Sequence, residues 1–337
     1  MKKVFVVGNS RSGTTLMARI LGLNDAVYTM HELHFFEQLW DPTSHNKLTL
    51  PQGQELFARL LTMHKDGYYH QKDIETYLDE AFQVIQHLSF PICPSEILSA
   101  MLQYETERNG KQIACVQTPR NVYYLREILD FFPEAYIVNM IRDPRDVLLS
   151  QKKKWQRRLL GAKNIPFSQL IRFWANYHPI TMSILWNSGI DAANHMQGHP
   201  RIIQVKFEDI LIQPETTIRQ ICNFLNVDFT VKMLQVPQIG SSHRQDQHRN
   251  SGINLSAAGN WQTNGIDQTD IVFCEKITKA RLVDQGYKLS NFRPNPLIAL
   301  WLGISWPLKI LLAFFFNLGR TRNLAASFKR RMPQFFA

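Results

Sequence analysis

Cysteine is scarce. Cys93, Cys115, Cys222 and Cys274 are the only four in 337 residues, far apart and never as a CxxC pair. That excludes a zinc ribbon or a disulfide framework, and a reducing compartment is expected. With 16 Gly and 16 Pro and no internal repeat, the chain is not collagenous or low-complexity. It also lacks an N-terminal signal core. Met1-Lys2-Lys3 is followed by only four apolar residues, Val4–Val7, before Gly8, whereas a secretory segment needs about 7 to 15. A buried first strand and a cytoplasmic location are expected instead. Acidic residues are outnumbered, 28 Asp+Glu against 38 Lys+Arg, a net +10. That excess suits an anionic partner such as a nucleotide, an acidic polysaccharide or a lipid headgroup surface.

Short β-rich runs alternate with helical patterns along the chain. Strands are expected at Lys3–Val7, Val27–Met30, Ile113–Gln117, Ala135–Ile141 and Arg201–Val205. Helices are expected at Thr14–Leu23, Val122–Phe131, from Pro144 onward, and at Pro214–Leu225. Strand–helix alternation of this kind predicts an α/β fold with a parallel sheet covered on both faces. Residues 53–108 hold no convincing strand, and their apolar spacing predicts a helical insertion; residues 238–265 read as a long polar surface loop.

Two segments carry the chemistry. After the first strand comes Gly8-Asn9-Ser10-Arg11-Ser12-Gly13-Thr14-Thr15, followed by an apolar helix. Both glycines and the final Thr of a G-x-x-x-x-G-K-[ST] loop are present, but Thr14 stands where the lysine belongs. Strand, tight loop and helix start together form an anion cradle. Without the lysine, γ-phosphate chemistry of the kinase or NTPase kind is poorly supported. Arg11 offers a rigid fork of donors in its place. The second segment is Arg142-Asp143-Pro144-Arg145-Asp146-Val147-Leu148-Leu149-Ser150. Asp143 suits an N-cap and Pro144 a first helical residue. Arg142 then falls at the carboxyl end of a strand, where open α/β sheets bind ligands. Arg142 and Ser150 are expected to close on one phosphate, with Lys154 a turn further on; Arg145 and Asp146 alone read as a solvated helix start.

Together the two segments resemble the sulfotransferases that use 3′-phosphoadenosine 5′-phosphosulfate (PAPS), in the branch of tyrosylprotein and many bacterial sulfotransferases. Arg11 to Thr15 looks like the family's 5′-phosphosulfate loop, and Arg142 to Ser150 its 3′-phosphate site. Gln117-Thr118-Pro119-Arg120, Phe207-Glu208-Asp209-Ile210-Leu211 with Pro214, and Ile253-Asn254 to Trp261 extend the likeness over residues 1 to about 285. The resemblance implies a metal-independent, in-line transfer of sulfonate from PAPS to a hydroxyl or amine. Donor binding falls to Arg11, Ser12, Gly13, Thr14, Thr15, Arg142 and Ser150. Glu32, 21 residues beyond Arg11 in His31-Glu32-Leu33-His34, takes the general base's place, with His31 and His34 in reserve. The chain departs from the family in having Gln117 for a frequent Lys, Phe207 for Tyr, and Asn260 before the loop tryptophan. A P-loop kinase and a non-catalytic binding protein of the same fold remain the alternatives.

The acceptor is a hydroxylated sugar, lipid or tyrosine-like group, and aromatics of the insertion (Phe57, Tyr68, Tyr69, Tyr77, Phe82) are candidate cleft residues. The Lys152–Arg158 basic cluster reads as a solvated face, so no nucleic-acid partner is expected. Residues 1–290 form the expected domain, and 291–337 a hydrophobic, basic tail. Leu297–Phe316 is apolar apart from Gly303, Ser305, Pro307 and Lys309. Five basic residues follow, Arg320, Arg322, Lys329, Arg330 and Arg331. Leu324, Phe328 and Met332 recur four apart among them, an interfacial pattern. Lys309 and a kinking Pro307 argue against a plain bilayer span, so attachment to the cytoplasmic face of a membrane, through a surface, kinked or re-entrant segment, is expected, with a C-terminal core or dimer helix pair as the alternative.

Overall fold

The computed structural model describes residues 1–44, 46–71, 73–154, 166–236, 252–254, 257–263, 265–318 and 324–333. Five strands form one parallel sheet in the order β2-β3-β1-β4-β5: β1 (Lys2–Gly8), β2 (Val27–Met30), β3 (Ile113–Gln117), β4 (Tyr136–Ile141) and β5 (Ile202–Lys206). The expected parallel sheet is the one found, each strand within one residue of its predicted start. The reason lies in β1. Phe5 and Val7 point into one apolar cluster, Val4 and Val6 into another, so both faces are buried. A parallel strand covered on both faces reads as a continuous apolar run.

The helices are α1 (Thr14–Gly22), α2 (Leu50–Lys65), α3 (Leu78–Ile85), α4 (Pro94–Arg108), α5 (Leu125–Phe131), α6 (Pro144–Lys152), α7 (Phe167–Asn176), α8 (Pro179–Asn194), α9 (Phe207–Ile212), α10 (Pro214–Leu225), α11 (Gln268–Asp284), α12 (Pro296–Asn317) and α13 (Leu324–Arg331). Helices α2 to α5 cover the Phe5/Val7 face, and α1, α9 and α10 the Val4/Val6 face. Residues 53–108 are helical as expected, but Phe57 is wholly buried in the core and is not a cleft residue. The helix predicted over 122–131 starts as a 3-10 turn at Pro119 and becomes α-helical only at Leu125. Most of the 238–265 loop, the end of the Lys152–Arg158 cluster, Arg320 and Arg322 lie outside the described residues. Lys152 itself pairs with Asp270, 2.9 Å away.

Arg145 and Asp146 overturn the expectation of a solvated helix start, for both are buried. The Arg145 guanidinium meets Asp143 and Glu275 at 2.7 Å each and lies 3.9 Å over the Trp261 ring. Asp146 accepts from the amides of Gly259 (2.8 Å) and Trp261 (3.0 Å). The amino end of α6 is thus a polar clasp on α11 and the 257–263 segment, which sequence proximity alone does not reveal. Removing one partner of such a buried set leaves uncompensated charge, so Arg145→Ala is expected to cost about 3–5 kcal/mol. Urea denaturation monitored by tryptophan fluorescence checks this; a loss below about 1 kcal/mol, the range of exposed pairs, contradicts it.

Candidate active site

All the candidate residues gather at the carboxyl edge of the sheet, because each follows a parallel strand. The loop after β1 turns through Gly8 (φ +143) and Gly13 (φ +88). A Cβ on Gly8 would stand 2.2 Å from the Met140 carbonyl oxygen, and one on Gly13 2.3 Å from the Phe207 ring. Glycine is therefore required at both, by backbone conformation and by close approach. Arg11 is left-handed without that freedom (φ 77), a strain that folds keep mainly where a side chain must be aimed. The loop ends on the first turn of α1, with Thr14 buried and Thr15 exposed.

Across the edge, Arg142 follows β4 and Ser150 sits on α6. Arg11 Nε donates to Ser150 Oγ at 2.8 Å, and Arg142 Nη1 donates to the Arg11 carbonyl at 3.2 Å. Arg142 Nη2 donates to the Ala257 carbonyl at 2.7 Å, its guanidinium lies 4.4 Å over the Phe207 ring, and Trp186 Nε1 donates to its carbonyl at 3.0 Å. Phe207 thus serves as the platform beneath both the loop and Arg142. Asp146 Oδ2 stands 3.9 Å from Arg142 but is already engaged by backbone amides. The buried Ser12 Oγ and Arg142 Nε have no hydrogen-bond partner among the described residues. A buried donor left unpaired is costly, and an anion over this loop would satisfy both.

The other side of the cleft holds a chain of titratable groups. Gln117, at the end of β3, donates from one amide nitrogen to Thr14 Oγ1 (3.1 Å) and Glu32 Oε1 (3.3 Å). The glutamine thereby ties the phosphate loop to the candidate base. Glu32 Oε2 is 3.2 Å from His34 Nε2, and His34 Nδ1 is 3.5 Å from Glu37 Oε2. Glu37 in turn pairs with Arg120 and, at 3.7 Å, with Arg331 of α13. His34 is left-handed (φ 46) ahead of a π-helical turn, Phe35–Leu39, that carries Glu37 inward. Tyr68 packs edge-on to His34, centroids 5.0 Å apart, and donates to Gln38 Oε1 at 3.2 Å. His31 is exposed and faces His64, ring centroids 5.6 Å apart. Burial works against the charge on Glu32, but the His34 hydrogen bond and charge, with Gln117 and Lys154 behind them, outweigh it and hold the carboxyl at about 2. Burial likewise opposes the His34 imidazolium, and hydrogen bonds and charge from Glu32 and Glu37 raise it above the usual histidine value.

Glu37 was not singled out, Tyr68 was expected only as one of the cleft aromatics, Arg331 only as part of the basic tail, and Arg120 only within a motif. Glu37 had one available signal, its place three residues after His34 beside Phe35 and Phe36. Arg331 had none, being 294 residues from Glu37 in the chain.

A parallel sheet with a glycine-bracketed loop after its central strand and two arginines beside that loop defines a P-loop-type α/β protein. More particularly, the chain belongs to the sulfotransferase family, whose sequence model, described as "Sulfotransferase family", matches residues 3–231. It is accordingly an enzyme that transfers sulfonate groups. Among solved structures it is similar to the sulfotransferase domain of the Synechococcus PCC 7002 olefin synthase, at 19% identity and TM-score 0.51, covering 86% of this chain and 96% of that one. It is also similar to the sulfotransferase domain of the curacin biosynthetic pathway, at 19% identity and TM-score 0.50, covering 85% and 98%. At that identity the likeness is one of fold. No curated protein matches the chain by sequence.

The Glu32–His34 pair has a defined pH signature. Glu32 is lowered from 4.5, so its contribution is complete above 4.5 and fades as pH falls toward about 2. His34 is raised from 6.5, so its contribution is complete below 6.5 and fades as pH rises through the higher folded value. The stability deficit of His34→Gln against wild type is expected to be largest between pH 4.5 and 6.5 and to shrink on both sides. Denaturation midpoints across pH 3 to 9 read it, and a deficit independent of pH contradicts the ion pair.

Proposed function

We propose that the donor is PAPS and that Glu32 is the general base for a hydroxyl or amine acceptor. The observation that carries this is the convergence of Arg11, Arg142 and Ser150, drawn together from 131 and 139 residues apart into one cationic cradle. Arg11, the Ser12 hydroxyl, the Gly13 amide, and Thr14 and Thr15 at the start of α1 would hold the 5′-phosphosulfate. Arg142 and Ser150 would hold the 3′-phosphate and so select PAPS over ATP.

In the reaction the acceptor oxygen or nitrogen bonds to sulfur as the bond from sulfur to the 5′-phosphate oxygen breaks. The acceptor proton passes to Glu32, and 3′,5′-adenosine bisphosphate leaves. Sulfonate transfer resembles phosphoryl transfer in its loose transition state, so positioning and charge stabilisation supply most of the acceleration. Arg11 and the loop amides would stabilise the negative charge that grows on the departing phosphate. Glu32 is ionised throughout the physiological range, and its side chain is 41% exposed to the cleft. At about 2 it is a weak base in the empty site; the anionic donor beside it raises its proton affinity, as a nearby like charge does. Gln117 offers a neutral donor where many relatives carry Lys, and its amide spans Thr14 and Glu32 to keep loop and base in register. His34, whose imidazolium is favoured by Glu32 and Glu37 against burial, is a positioning residue.

The acceptor is a hydroxylated sugar, lipid or tyrosine-like group entering over Tyr68 and Glu32. The apolar helix α12 supports attachment at the cytoplasmic face of a membrane, where an amphiphilic acceptor would be presented.

Isothermal calorimetry tests the donor site. 3′,5′-Adenosine bisphosphate is expected to bind without added metal, and Arg142→Ala to weaken it at least tenfold, or about 1.4 kcal/mol. Preference for Mg-ATP, or an Arg142→Ala affinity equal to wild type, contradicts the assignment.

A further inference from the structure

We propose that α12 does not cross a bilayer but lies flat in one leaflet of an anionic membrane, with α7 beside it as part of the same membrane-facing surface. This rests on the membrane attachment proposed above and adds its geometry, its partner lipid and a second helix.

By length alone α12 qualifies as a span, since its 22 residues make about 33 Å of helix. Its contacts exclude that use. At its start, Asn295 N donates to Thr269 Oγ1 of α11 at 3.0 Å. Midway, Trp306 Nε1 donates to Thr181 Oγ1 of α8 at 3.0 Å, and Lys309 Nζ to the Trp174 carbonyl of α7 at 2.9 Å. At its end, Arg172 Nε donates to the Phe316 carbonyl at 2.8 Å and Asn317 Nδ2 to Asn176 Oδ1 at 2.8 Å. The chain then returns to the catalytic domain, for Arg330 of α13 pairs with Glu127 at 2.5 Å and Arg331 reaches Glu37. A spanning helix would leave α13 on the far side of the bilayer. Here both ends of α12 and its whole length are fastened to one globule.

Among the described residues, nothing covers the opposite face of α12. Leu297, Trp301, Ile304, Leu308, Leu311 and Phe315 recur at three- and four-residue steps and are all exposed, Leu297 by 77% and Trp301 by 66%. This is the stripe of a helix presented to an apolar phase. Helix α7 continues it with Phe167, Ile171 and Trp174, again one face and again exposed. An apolar surface of this extent on a soluble protein marks a partner, and the charge pattern says which. Residues 147–190, which include α7, hold seven Lys and Arg and no Asp or Glu; residues 285–337, which include α12, hold eight and none. The rest of the chain carries the other 23 of the 38 basic residues against all 28 acidic ones. The entire positive excess therefore falls within the two stretches that contain the packed, apolar-faced helices α7 and α12, although Lys152, Arg172, Arg330 and Arg331 are engaged within the globule. Basic, acid-free and apolar together is the composition of an interfacial element on anionic lipid, where each cation near the surface contributes about 1 kcal/mol. A self-associating protein face has no need to exclude carboxylates.

Flotation of the full-length enzyme with phosphatidylcholine vesicles, with and without 30% phosphatidylglycerol, tests this. Binding is expected to the anionic vesicles, to weaken in 0.5 M salt, and to fall at least tenfold in both Trp301→Glu and Trp174→Glu. Unchanged affinity for 3′,5′-adenosine bisphosphate shows that the variants are folded. A C-terminal epitope on vesicle-bound enzyme is expected to stay as open to added protease as in solution. No flotation, or a dimer by light scattering that Trp301→Glu dissolves without any lipid binding, overturns membrane attachment itself. Flotation with a protected epitope, or one indifferent to Trp174→Glu, overturns only the in-plane geometry.

Discussion

Two arginines converging on one loop set the terms for the rest of the structure. Arg142 donates to the Arg11 backbone and Arg11 to Ser150, so the two cations are positioned by neutral oxygens. Among the described residues, Asp146 stands 3.9 Å from Arg142 and is committed to the amides of Gly259 and Trp261. Two cationic side chains are thereby gathered beside one loop, a setting that favours an anion. Much of the surrounding structure keeps the pair in place: glycines that let the loop turn under Met140 and Phe207, the Phe207 ring beneath Arg142, and the Arg145 clasp that fixes the start of α6.

The Glu32 side of the cleft follows the opposite logic. There the charges are paired in sequence, Glu32 with His34, His34 with Glu37, Glu37 with Arg120 and Arg331. Gln117 joins the two sides through a single amide nitrogen. Alternating charges of this kind keep the Glu32 carboxylate ionised and oriented. Because Arg331 comes from α13, the segment that follows the apolar helix also buttresses Glu37.

The sheet was legible because parallel strands buried on both faces are written as unbroken apolar runs, and the helices because Asp143-Pro144 and Gln213-Pro214 mark their starts. Arg11 through Thr15, Arg142 and Ser150 were legible through spacing within short segments. What escaped depended on distance along the chain. Arg145 looked solvated because Glu275, which neutralises it, is 130 residues away. Phe57 looked like a cleft aromatic because apolar periodicity does not say which face of a helix meets the sheet. The link from Glu37 to Arg331 spans nearly the whole chain, and no local pattern encodes it.

The most direct test of the donor cradle is ³¹P NMR of 3′,5′-adenosine bisphosphate titrated with the enzyme, which reads its two phosphates separately. Wild type is expected to shift both resonances, Arg11→Ala to lose chiefly the 5′ shift and Arg142→Ala chiefly the 3′ shift. Equal loss of both shifts in each variant, or no shift at all with wild type, would contradict the division of labour between the two arginines.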